Sequence, residues 1–136
     1  MIKPIMKSEF FLRLPSEDAG PDDAATGQDL MDTLHEHERE CVGLAANMIG
    51  VRKRIICVKD GNRTLLMYNP QILEQVNAYQ TSDGCLSLIG EHPCTRYRRI
   101  KVEYLDENFV HRIKNFSGYT AEIIQHEIDH CQGTVI

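Results

Sequence analysis

His126 and His130 stand four residues apart in the segment Gln125-His126-Glu127-Ile128-Asp129-His130, the spacing at which an α-helix stacks two side chains on one face. The flanking sequence predicts that helix from Ser117 to Cys131, with Ser117 as its cap. Tyr119, Glu122, Ile123, His126 and His130 recur along one side at helical steps, while Ala121, Ile124, Ile128 and Cys131 form a second, apolar stripe. A helix with two such faces is expected to be buried, and two imidazoles carried inside together need a common partner. A divalent metal meets that need. On the motif alone, a surface pair of histidines is the competing reading, and a catalytic metal needs a further protein ligand from elsewhere.

The 136 residues predict a single domain, 1–136, long enough to build a core without disulfides. The five cysteines, at 41, 57, 85, 94 and 131, are odd in number and form no CxxC pair, which fits a reducing compartment. Residues 1–14 hold no run long enough for a signal peptide or membrane span, so the expectation is a cytoplasmic, soluble chain with no membrane partner. A net charge of −5 argues against a nucleic-acid partner. In the one basic run, Arg96, Arg98 and Arg99 read as solvated charges on a strand edge.

Pro15 to Gly27, rich in Asp, Gly, Ala and Pro, reads as a loop leading into a helix over residues 28–39. Leu30, Met31 and Leu34 mark that helix's apolar side. The period then shortens. Ile55–Val58, Leu65–Tyr68 ahead of Asn69-Pro70, Ile100–Leu105 and Phe109–Phe116 all read as strands. The fold class is therefore α+β: antiparallel or mixed strands packed around a buried C-terminal helix.

Between strand signals stands Asp83-Gly84-Cys85-Leu86-Ser87, where glycine lets the backbone approach a ligand and Cys85 becomes the candidate third metal ligand. Upstream lies Cys41-Val42-Gly43-Leu44-Ala45-Ala46-Asn47-Met48-Ile49-Gly50. In order, these two blocks and the His126–His130 helix resemble the polypeptide deformylase family, whose pattern is G-φ-G-φ-A-A-x-Q, E-G-C-φ-S and H-E-x-D-H, with φ apolar. The resemblance spans residues 41–133.

It implies that Cys85, His126 and His130 hold one divalent metal, iron(II) in many members, with nickel, cobalt or zinc able to occupy the site. A thiolate and two imidazoles suit several of these ions and do not choose among them. It further implies that Glu127 is the general base that activates water for attack on the formyl group of N-formylmethionyl peptides or nascent chains, releasing formate. The developing oxyanion would be met by the backbone N–H of Leu86 and by the glutamine of the first block. Here Met48 occupies that glutamine's position, and a thioether donates no hydrogen bond. Asn47 is adjacent, but in an extended segment neighbours point to opposite faces, so its help would require a bulge.

For substrate, the resemblance implies contacts at Val42, Gly43, Tyr119, Glu122, Ile123 and His126, and a positioning role for Arg96. Asp129 is expected to tie the helix to a nearby arginine. Cys41 and Asp83 depart from the pattern, as does Glu122, a carboxylate where the family is usually apolar. Losing one oxyanion donor typically costs about 10²–10³ in rate, so a weakened enzyme is expected. Two alternatives stand beside it: a descendant that keeps metal and fold as a binding or interaction protein, and a zinc peptidase built on the same helix with a different third ligand.

Overall fold

The computed structural model describes residues 1–85 and 88–134, with the backbone alone at 85, 88 and 89. Its strands are β1 (Gly43–Ala45), β2 (Ile55–Asp60), β3 (Arg63–Cys85), β4 (Leu88–Leu105) and β5 (His111–Ser117). They form one sheet in the order β1-β2-β3-β4-β5, each strand antiparallel to the next. Strands adjacent in sequence are thus adjacent in space, which requires only short connections.

Asn69-Pro70 does not end a strand, contrary to the reading from sequence: β3 runs through it. Proline offers no N–H to a ladder, and the ladder adapts with register irregularities between Tyr68 and Gln71 and between Ile72 and Glu74. Asn69 adopts φ +53°, and its amide side chain accepts from Ala19 N at 2.7 Å and donates to Ala19 O at 2.9 Å. The irregularity thereby anchors the N-terminal segment. Phe109, expected in the last strand, lies instead in the turn before it at φ +58° and stacks on Tyr68 with ring centroids 4.2 Å apart.

Among the described residues three α-helices accompany the sheet: α1 (Glu9–Leu12), α2 (Ala24–Glu36) and α3 (Gly118–Cys131). The four-residue α1 was not expected; Ser8 Oγ caps it by accepting from Phe11 N. α2 starts before residue 28, on a 3₁₀ turn at Pro21–Asp23, and ends before 39. Gly27 is thus helical. A β-carbon there would lie 2.1 Å from Tyr68 Oη, so this glycine serves close packing between α2 and β3.

Ile55, Ile56, Cys57 and Val58 of β2 are all fully buried. Alternate strand residues face opposite sides, so both faces of β2 are covered, and α2 and α3 both pack on it. Leu30, Leu34, Leu44, Met67, Val102 and Ile124 complete this interior. β5, by contrast, is largely exposed.

α3 follows β5 directly at Gly118, whose φ of +64° turns the strand end into the helix. Ser117 occupies the N-cap position, yet its side chain makes no capping bond. The helix is buried as its two-faced pattern requires, with Ile123, Ile124, Gln125, His126, Glu127, Ile128 and His130 all inside. Among the described residues no helix is long and apolar enough to cross a membrane.

Candidate active site

The helical period brings His126, Glu127 and His130 together: one potential ligand atom from each lies within 4.8 Å of the others, and all three residues are buried. Glu127 is only 3% exposed, and among the described residues its Oε1 has no hydrogen-bond partner. A buried carboxylate oxygen without a donor is costly unless a cation or reacting group completes it. Two imidazoles beside it are suitable divalent-metal donors, so the residues present fit such an ion.

Each histidine is held through Nδ1. His126 Nδ1 lies 3.2 Å from Asp83 Oδ2, and His130 Nδ1 lies 3.2 Å from Met48 Sδ and 3.4 Å from Glu127 Oε1. Burial tends to raise the Asp83 carboxyl, but the His126 ring and the Arg96 guanidinium outweigh it and hold Asp83 well below the usual carboxylate range.

Arg96 is not a solvated edge charge. It is 3% exposed, with Nε 2.8 Å from Asp83 Oδ2 and Nη1 2.6 Å from Asp129 Oδ2. One guanidinium therefore ties β3 and β4 to α3 directly behind His126, and Asp129 makes the arginine contact expected of it. Arg98 and Arg99, by contrast, are exposed.

The segment carrying Asn47 and Met48 is not extended. Ala46–Ile49 forms a 3₁₀ turn that closes at Gly50, where φ is +85°. Both side chains go inward: Asn47 Nδ2 donates to the His130 backbone oxygen at 2.8 Å, and Met48 is fully buried with Sδ accepting from Ala45 N at 3.5 Å. The amide of Asn47 is thus engaged by α3.

A cleft of about 530 Å³ opens on this cluster. Of the residues expected to meet substrate, Val42, Gly43, Tyr119, Glu122 and Ile123 line it, together with His126 and Glu127. Arg96 is not among its lining residues and stands behind Asp83, which is. Glu122 is half-buried and accepts a 2.7 Å hydrogen bond from Tyr79 Oη. Burial and that carboxylate push the Tyr79 hydroxyl up to about 12. Cys41 also lines the cleft, its Sγ 2.9 Å from the Gly43 carbonyl.

Leu86 and the side chain of Cys85 lie outside the described residues; the Cys85 backbone ends β3 opposite Leu88. Sequence reasoning missed the Asp83–His126 and Tyr79–Glu122 contacts. Each joins residues 43 apart. The only signal for the first was an acidic residue two positions before Cys85, and for the second an unexplained carboxylate on the histidine-bearing face of the helix.

The match to the polypeptide deformylase family model covers residues 7–136. Over its full 136 residues the chain is 50% identical to a peptide deformylase of Clostridium beijerinckii, covering all of both proteins. Its fold is similar to a class I type b peptide deformylase of Acinetobacter baumannii bound to Met-Ala-Ser (TM-score 0.87, 29% identity, 99% of this chain and 97% of that one). It is also similar to the peptide deformylase of Thermus thermophilus (TM-score 0.86, 30% identity, 99% and 83%). The chain belongs to the polypeptide deformylase family, whose members are metal-dependent hydrolases. The fold class read from sequence and the family resemblance both hold.

Proposed function

We propose that this chain, as a single domain over residues 1–136, removes the formyl group from N-formylmethionyl peptides and acts on nascent chains in the cytoplasm. The observation that carries the reading is the buried His126–Glu127–His130 cluster opening into a cleft, with Glu127 Oε1 left without a hydrogen bond among the described residues. Cys85, His126 and His130 would hold the metal, natively iron(II), with nickel, cobalt or zinc as substitutes. Such an ion supplies Lewis acidity, lowering the pKa of a water and polarising the formyl oxygen.

The remaining work falls to the protein's own groups. Glu127 takes a proton from the attacking water as its oxygen bonds to the formyl carbon, then delivers it to the amine nitrogen as the C–N bond breaks. Formate and a free amino terminus result. The Leu86 N–H contributes a donor to the oxyanion, and Met48 contributes none. Val42, Gly43, Tyr119 and Ile123 receive the methionyl side chain, with Glu122 giving the cleft a polar margin. Arg96 positions Asp83 and α3 and so acts on substrate indirectly. The Met-Ala-Ser complex of the Acinetobacter baumannii relative supports a peptide in this cleft. Formate release from a formyl-methionyl tripeptide by nickel-loaded protein tests the reading, and its absence from metal-replete protein would favour a degenerate metal-binding descendant.

A further inference from the structure

We infer that Met48, standing where the family pattern has an oxyanion glutamine, is a positioning residue: its thioether accepts the Nδ1 proton of His130 and fixes that ligand's tautomer. The inference rests on the metal-dependent reading of the site. Met48 is fully buried, and its sulfur is 3.2 Å from His130 Nδ1. A thioether carries lone pairs and no proton, so an attractive contact at that distance requires the hydrogen to sit on Nδ1. Glu127 Oε1, at 3.4 Å, is a second lone-pair atom beside the same nitrogen and makes the same demand. A neutral imidazole protonated at Nδ1 carries its lone pair on Nε2, the nitrogen that can then bind a metal.

The sulfur itself is fixed. Ala45 N donates to it at 3.5 Å, and the 3₁₀ turn at Ala46–Ile49 sets the Met48 backbone. On the other ligand, Asp83 plays the matching role at His126 Nδ1. The two acceptors differ in kind, an anion for His126 and a soft neutral sulfur for His130. Among the described residues Glu127 Oε1 makes no hydrogen bond, only the 3.4 Å contact with His130 Nδ1. Thus the residue that removes a donor from the oxyanion site serves the metal ligand instead.

The test uses the full chain with zinc(II) as probe. Chelator competition gives the zinc dissociation constant of the native protein, Met48→Leu and Met48→Gln, and ¹⁵N-resolved NMR of the zinc-loaded native protein reads the His130 tautomer. Leucine keeps the apolar volume but loses the acceptor, and zinc affinity is expected to fall about tenfold. Glutamine offers an amide oxygen and should retain affinity within about threefold, a rescue by acceptor chemistry that a purely packing role would not give. The native spectrum should show a proton on Nδ1 of His130, a readout that stands even if Met48→Leu fails to fold. A His130 Nδ1 without a proton, or unchanged zinc affinity in Met48→Leu, overturns the inference. Formate release by the native protein, assayed in parallel, separates this outcome from failure of the deformylase reading: no formate with the tautomer intact would sink that reading alone.

Discussion

Gly43 of β1 lies so close to Glu127 of α3 that a β-carbon on the glycine would sit 3.0 Å from Glu127 Oε2 and 2.7 Å from Ile123 Cγ2. The glycine is therefore a spacer that lets the helix carrying Glu127 approach the strand. Gly43→Ala must push β1 and α3 apart or rotate Ile123 and Glu127. The expected result is a loss of about 1–3 kcal/mol in urea denaturation, with a fall in formate release larger than any fall in zinc content. Unchanged stability and activity would mean that the contact is slack.

Arg96 holds two carboxylates from different elements, Asp83 and Asp129, and Asp83 in turn holds His126. Asp83→Asn leaves a buried guanidinium with one carboxylate partner and weakens the acceptor for His126. A loss of about 3 kcal/mol is expected, measured by denaturation of the metal-free protein. Asp83→Glu keeps the carboxylate, in the residue type of the family pattern, and should cost less than Asp83→Asn.

Tyr79 donates to Glu122, and its hydroxyl is pushed up to about 12 from an ordinary 10.0 by burial and that bond. The folded state therefore binds this proton more tightly than the unfolded chain. The stabilisation is fully present below pH 10 and is lost as pH rises through about 12. Tyr79→Phe should lower stability near neutrality by about 1 kcal/mol and flatten the decline between pH 10 and 12, as followed by thermal melts across that range.

Much of the site was legible because it rests on local periodicity. The helical step alone put His126, Glu127 and His130 together in the interior, and β2 appeared as an apolar run. What stayed hidden depended on partners far along the chain. Arg96 looked like an edge charge because Asp83 and Asp129, 13 and 33 residues away, are what make its burial tolerable. Gly27 and Pro70 were read as breakers. One instead supplies space for Tyr68 inside a helix, and the other falls at an irregularity in a strand. The sequence of Asn47 and Met48 reads as extended, and their 3₁₀ turn depends on the residues they bond, Ala45 and His130.

Met48→Gln returns an amide to the position that the family pattern gives to an oxyanion donor. Its oxygen can accept from His130 Nδ1 while its NH₂ faces the reacting carbonyl. Turnover of a formyl-methionyl peptide is expected to rise by about 10² or more, read as kcat with KM little changed. No gain would show that Leu86 and the metal site already meet the oxyanion's needs.

The most direct test compares formate release from a formyl-methionyl tripeptide by nickel-loaded native protein and Glu127→Ala, with nickel content measured in both. The predicted result is release by the native protein and loss of at least about 10²-fold in Glu127→Ala at equal nickel occupancy. Equal release by the two would contradict the assignment of Glu127 as the base, and no release by either would contradict the deformylase activity itself.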